Sequence, residues 1–207
     1  MKIVKQLLKR GAICVILNAT LPISKLELRL KCAGLNLSKA GEEGKVYVID
    51  LFGSKYELSS EKPYILQIPN WSDKTGIAKL INLYHELGDR IPKGTLVVGL
   101  VATLEGLYHE FSYQMMQRII RASLASFEKE PLNSLKISVI SLLNEEAIPE
   151  HAVAWLFSLH DQVVEFVSQV TPLGLEEIIL VPKSVLPEFM PRHFKIKLSR
   201  EQVIQLF

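Results

Sequence analysis

The residues best able to do chemistry in this chain are its five histidines, its two cysteines and several paired carboxylates, and their spacing decides what is open to them. His85-Glu86 and His109-Glu110 each begin like the zinc-protease helix, in which two imidazoles four residues apart share one face. Position 89 is Asp and position 113 is Tyr, so neither pair gains its second imidazole. His151 and His160 fall about 180° apart on one expected helix, which argues against a joint metal site. His160-Asp161 could orient an imidazole for general-base work, but no serine or cysteine stands in a nucleophile motif such as Gly-x-Ser-x-Gly. Cys14 and Cys32 have neither Cys-x-x-Cys nor zinc spacing and read as free thiols. No catalytic residue, metal or cofactor is expected.

A phosphate-binding loop needs Gly-x-x-x-x-Gly-Lys-Ser/Thr, so that backbone N–H groups and a lysine converge on the anion. The nearest approach is Gly41-Glu-Glu-Gly44-Lys45, where the glycines are too close and Val46 replaces the hydroxyl residue.

The elements that would position these side chains alternate between helical stripes and short apolar runs. Residues 2–10 read as a helix rather than a signal peptide, followed by the strand Ala12–Leu17. Ser24 opens a helix to Ala33, Gly41 and Gly44 bracket a turn, and Val46–Phe52 is a second strand leading into a polar loop at 53–62. Tyr64–Ile68 is a short strand, and Ser72 or Asp73 caps a helix ended by Gly88. Thr95–Ala102 is the most apolar strand, 111–128 the longest helix and Lys136–Leu143 another strand. Pro149 opens a helix, and Val163–Val167, Ile178–Val181 and Phe194–Leu198 are strands before a closing helix from Ser199.

Fully apolar strands alternating with helices imply a three-layer α/β sandwich around a mostly parallel sheet, with antiparallel strands added at one edge near the C-terminus. One domain over 1–207 is expected. At 48% hydrophobic and 22% charged residues with a formal charge of +2, the chain is globular and nothing demands an anionic partner. No apolar run approaches the ~20 residues of a membrane span, so a cytoplasmic location is expected.

In open α/β sheets ligands bind beyond the carboxyl ends of the strands. That rule nominates Asn18, Thr20, Asp50, Asn70, Thr103, Glu105, Asn144 and Glu145 as cleft residues. Trp71, together with Phe52, is a candidate anchor for a partner or a base. Lys183, Arg192, Lys195 and Lys197, interleaved with Phe189 and Phe194, form the nearest thing to a nucleic-acid surface.

The order of these elements resembles the RecA/KaiC-like ATPase domains over residues 1–170. The resemblance rests on the strand AICVIL, a proline loop, a helix ending Ala-Gly-Leu, GKVYVIDLF at Gly44–Phe52, GTLVVGL at Gly94–Leu100, LKISVISLL at Leu135–Leu143 and LHDQVVEF at Leu159–Phe166. Uncharacterised archaeal families share this pattern. Members of that superfamily carry a strand and phosphate loop ahead of a helix like the first one here, so the resemblance leaves a segment upstream of Met1 as an open expectation. It also implies an acidic residue after AICVIL, where Asn18, Ala19 and Thr20 stand, and an Mg²⁺-organising aspartate in Val97–Leu100, where no carboxylate occurs. RecA-like domains commonly assemble side by side. The expectation is a RecA-like interaction or regulatory module without ATP hydrolysis, working as a homo-oligomer or with a protein partner. A ligand-binding protein or enzyme using the strand-end cleft is the alternative, and a nucleic-acid accessory protein a further one.

Overall fold

The computed structural model describes residues 2–171 and 174–196, and the chain divides into two compact units, Met1–Ile148 and Pro149–Phe207. In the first unit the apolar runs become β1 (Ile13–Asn18), β2 (Val46–Asp50), β3 (Ile65–Leu66), β4 (Leu96–Val101) and β5 (Lys136–Ser141). All pair in parallel, in the order β3-β2-β1-β4-β5.

Successive side chains of a strand point to opposite faces, so a strand apolar throughout needs cover on both. Cys14 and Ile16 of β1 join Val46 and Val48 against Val4 of α1 (Lys2–Lys9), Leu26 and Leu30 of α2 (Ile23–Cys32) and Leu37 of α3 (Leu37–Glu42). On the other face Ile13 and Val15 join Val97 against Tyr84 and Leu87 of α5 (Gly76–Arg90) and Phe127 of α7 (Tyr113–Phe127). The layers are helix, sheet, helix. Burial pushes the Cys14 thiol up to about 12, so it stays protonated in the core.

Several element boundaries differ from those expected, some through local capping and others through packing. The turn expected at Gly41 is the last part of α3, which starts where the Asn36 side chain accepts the Lys39 N–H at 3.1 Å. The second strand stops at Asp50, whose carboxylate accepts the Gly53 N–H and turns the chain into α4 (Leu51–Lys55) in place of a loop. Ser24 lies inside α2, whose N-cap is Pro22, and α5 is capped at Thr75 without a side-chain bond. Gly88 does not end α5: it is buried inside it, where a Cβ would come within 2.8 Å of Leu132. The helix expected over 111–128 is α7 (Tyr113–Phe127), and a further helix, α6 (Leu104–Phe111), precedes it; the two meet at Ser112 with φ +68, whose hydroxyl caps α7. Leu124 of α7 is exposed.

In the second unit α8 (Glu150–Leu159) follows Pro149, which is its N-cap. The later strands are β6 (Gln162–Thr171), β7 (Gly174–Ser184) and β8 (Arg192–Ile196). They do not extend an edge of the parallel sheet but pair with each other as an antiparallel sheet in the order β6-β7-β8. A bulge interrupts the β6–β7 register beside Pro182, a residue that cannot donate to a ladder. Lys197 and the helix expected from Ser199 lie outside the described residues. Among the described residues no helix is long and apolar enough to cross a membrane.

Candidate functional site

From β1 the sheet grows one way through β2 and β3, then the other way through β4 and β5. The order therefore reverses between β1 and β4, and the crevice outside the carboxyl ends of those strands is where sheets of this kind take ligands. The loop at that point is the turn from Asn18 to Pro22, between β1 and α2. The resemblance had made β1 the second strand of the superfamily order; in this sheet β1 itself stands at the switch point.

That turn is closed by its own side chains. Asn18, 4% exposed, donates through Nδ2 to the Leu21 carbonyl at 2.7 Å and to Asp50 Oδ1 at 2.7 Å. Its Oδ1 faces the Leu21 N–H at 3.4 Å, and Pro22 has no N–H to offer. Asp50, 1% exposed, accepts further from the Gly53 N–H at 3.0 Å and from Gln67 Nε2 at 2.8 Å. Its buried carboxylate is held entirely by neutral donors, the arrangement that makes burial of a polar group tolerable.

Thr20 Oγ1 and Thr103 Oγ1 lie 2.8 Å apart and bridge the two sides of the switch point. The methyl of Thr20 fills the space above Gly106, where a Cβ would sit 1.9 Å from it. Two residues along the same rim, Glu105 accepts the Asn144 N–H at 3.3 Å. Of the eight cleft candidates, six are thus bonded in pairs along the carboxyl rim of the sheet: Asn18 with Asp50, Thr20 with Thr103, Glu105 with Asn144. Asn70, at φ +49, and Glu145 are exposed and join none of these pairs; the Asn70 carbonyl accepts Lys79 Nζ instead.

Gly53, Gln67 and Gly106 complete the rim but were not singled out from the sequence. Asp50-x-x-Gly53 carries a capping signal that could have been found. Gln67 carries none, because its approach to Asp50 depends on β3 lying beside β2. Beside the network is a shallow open cleft of about 510 Å³ lined by Ile23, Asp50, Glu57, Leu58, Ser59, Ser60 and Gln67. Asp50 is its only member from the candidate list. Gly44 and Lys45 precede β2, at the opposite end of the strand from this rim, with Lys45 paired to Glu43.

A second set of contacts ties α4 to α6. Lys55 Nζ donates to Glu110 Oε2 at 3.0 Å and to the Glu110 carbonyl, and lies 5.1 Å from the centre of the Phe111 ring. Tyr56 donates to the same carboxylate at 3.0 Å. The Lys55 hydrogen bond holds the Glu110 carboxyl below its ordinary range. Trp71 is half-buried, packed against Gly76 and edge-on to Phe111 at 5.4 Å, while its indole nitrogen is buried with no partner among the described residues. Of the basic candidates, Lys183 donates to the Phe157 and Ser158 carbonyls and Lys195 pairs with Glu176 at 3.0 Å. Arg192 is exposed on β8. Among the described residues no three His, Cys, Asp or Glu side chains converge as metal ligands.

No protein-family model matches the chain, and no curated protein matches it either. Solved structures do. An uncharacterized protein of Pyrococcus horikoshii, PH0321, crystallised in complex with an unknown peptide, superposes with a TM-score of 0.76 at 17% identity, over 94% of this chain and 84% of that one. The KaiC-like protein PH0186 of Pyrococcus horikoshii OT3 gives 0.61 at 10% identity over 92% and 75%. The flagellar accessory protein FlaH of Methanocaldococcus jannaschii gives 0.51 at 8% over 93% and 75%. The sheet order, the flanking helices and these three likenesses together identify the fold of the chain as RecA/KaiC-like.

Proposed function

We propose that this chain is a RecA-like interaction module that takes a protein or peptide partner and does not hydrolyse nucleotide. The observation that carries the reading is the Thr20–Thr103 bridge with the Thr20 methyl seated on Gly106, which fills the switch-point crevice with side chains. In this reading the Asn18–Pro22 turn is the counterpart of the ATPases' phosphate loop. A phosphate cradle needs several backbone N–H groups pointing into open space. Here the Leu21 N–H faces Asn18, Pro22 has none, and Lys25 and Leu26 N–H bond to the Pro22 carbonyl. The aspartate and asparagine of the rim are bonded to each other and serve the fold. PH0321 was crystallised with a peptide, which supports a peptide segment as the kind of partner to look for.

The test is phosphate release from Mg²⁺-ATP and Mg²⁺-GTP by the purified chain. Release no faster than from heat-denatured protein is expected. Turnover that disappears in Asp50→Asn while that variant remains folded would overturn the reading.

A second reading has one observation in its favour. The cleft beside Asp50 falls within the ~300–1,000 Å³ typical of small-molecule pockets, and carries two carboxylates, two serines and Gln67. A small polar ligand there would make the chain a binding protein. Saturable heat on titration, abolished by Gln67→Leu, would favour it over the module.

A further inference from the structure

The antiparallel sheet of the second unit has two unlike faces. Val163 is 7% exposed, and its register partner Lys183 donates to the last carbonyls of α8, so that side is covered from within the unit. On the other side the register aligns Phe166 of β6, Ile179 of β7 and Phe194 of β8 in one row across the sheet. Alternation adds Val164 and Val181 beside that row. Phe166 is 76% exposed, Phe194 51% and Val164 44%, while Ile179 and Val181 are half-buried. Single apolar side chains on a surface need no explanation, but a contiguous patch rich in aromatics marks a place where another surface docks.

Two charges on the same face say what that surface is. Arg192 precedes Phe194 by two residues on β8, and Glu177 precedes Ile179 by two on β7. Because β7 and β8 run antiparallel, the two charges stand on opposite sides of the row, one strand apart. Neither has an ion-pair partner among the described residues, whereas Lys195 and Glu176 of the same strands pair at 3.0 Å. A two-fold axis laid along the row exchanges its two sides. It sets Phe166, Ile179 and Phe194 of one copy against the same three residues of another, and brings Arg192 of each copy beside Glu177 of the other. The face is therefore self-complementary, with an apolar centre and two equivalent charge pairs at its rim, as an isologous interface requires.

The area sets the strength. β6 and β7 run for 10 and 11 residues. At ~3.3 Å per residue and ~4.8 Å between strands, the face measures roughly 33 by 10–14 Å. That is about 500 Å² per copy and about 1,000 Å² in total, the low end for a specific interface. Such an area supports a dimer in reversible exchange, with Kd on the order of 10 µM.

We propose that this face pairs two copies of the chain, sheet on sheet, about a two-fold axis along the Phe166–Ile179–Phe194 row. The pairing lies in the second unit and does not rest on the closed switch point of the first.

Charge reversal tests it, read by sedimentation equilibrium of the full chain at concentrations about thirtyfold either side of that Kd. Wild type is expected to pass from monomer to dimer across the range. Arg192→Glu and Glu177→Arg each set like charges together at both rim sites, so either variant alone should dimerise about tenfold more weakly or worse. Mixed in equal amounts, the two variants should pair with each other as tightly as wild type, because opposite charges then meet at both sites. Phe166→Ser should abolish pairing, and at 76% exposure that substitution places little demand on the fold. A wild type that stays monomeric would overturn the proposal and leave the face to a different protein or to another part of the chain. Dimers that the charge variants or Phe166→Ser leave as tight as wild type would also overturn it, since the copies would then meet elsewhere. So would weakened single variants whose mixture fails to recover, because the two-fold geometry demands that recovery.

Discussion

Thr20 Oγ1 and Thr103 Oγ1 stand 2.8 Å apart, a hydroxyl pair that joins the turn after β1 to the start of α6 across the point where strand order reverses. Thr103→Val removes one hydroxyl and leaves the other without its partner, which should cost about 1–2 kcal/mol. Thr20→Val/Thr103→Val removes both with the shape kept. The double variant should lie within about 0.5 kcal/mol of the single one, because the interaction can be lost only once. Urea denaturation of the four-protein cycle measures this.

The methyl of Thr20 and the missing side chain of Gly106 are two halves of one contact. Gly106→Ala puts a Cβ 1.9 Å from that methyl and should destabilise by about 1–3 kcal/mol, as overpacking does. In a Thr20→Ser background the clashing atom is gone while the hydroxyl remains, so most of the loss should be recovered. The comparison of denaturation midpoints across the two backgrounds checks it.

Asp50 accepts three hydrogen bonds from Asn18, Gly53 and Gln67. In Asp50→Asn one acceptor oxygen becomes an NH₂ group that must face a donor. The expected cost is about 2–4 kcal/mol, seen as a lower urea midpoint at unchanged slope.

The Glu110 carboxyl titrates below its ordinary range because Lys55 donates to it. A group depressed in the folded state adds stability above its unfolded pKa and loses that stability as pH falls through the folded one. Wild type and Lys55→Met should therefore differ at pH 7, by about 0.5–1 kcal/mol for a pair that is partly open to solvent. The difference should shrink as pH falls through the folded pKa, as the carboxyl becomes protonated in both states. Guanidinium melts at pH 7 and at a series of lower pH values give the comparison.

How far the sequence was legible follows from how local each signal is. The strand AICVIL announced β1 because it is apolar on both faces. The rule for strand ends brought Asn18, Asp50, Thr20 and Thr103 to one rim before any contact was known. What escaped was settled by contact between distant parts of the chain. Gly88 looked like a helix stop, but its smallness serves Leu132 across a helix–loop contact. Ser112 gave no local sign that its backbone would turn left-handed and set α7 off from a preceding helix, α6. The three last strands had the pattern of an edge, and only their hydrogen-bonding register makes them a separate sheet.

The most direct test of the central claim, that the switch point is closed to nucleotide, is thermal denaturation of the chain with and without Mg²⁺-ATP and Mg²⁺-GTP. A ligand present at 100 times its Kd adds about 2.7 kcal/mol, which for a chain of this size raises Tm by roughly 5–10 °C. The account predicts no shift at millimolar nucleotide, in wild type and in Thr103→Val alike. A clear rise in wild type would contradict it, and would mean that the Thr20–Thr103 bridge opens to admit a phosphate.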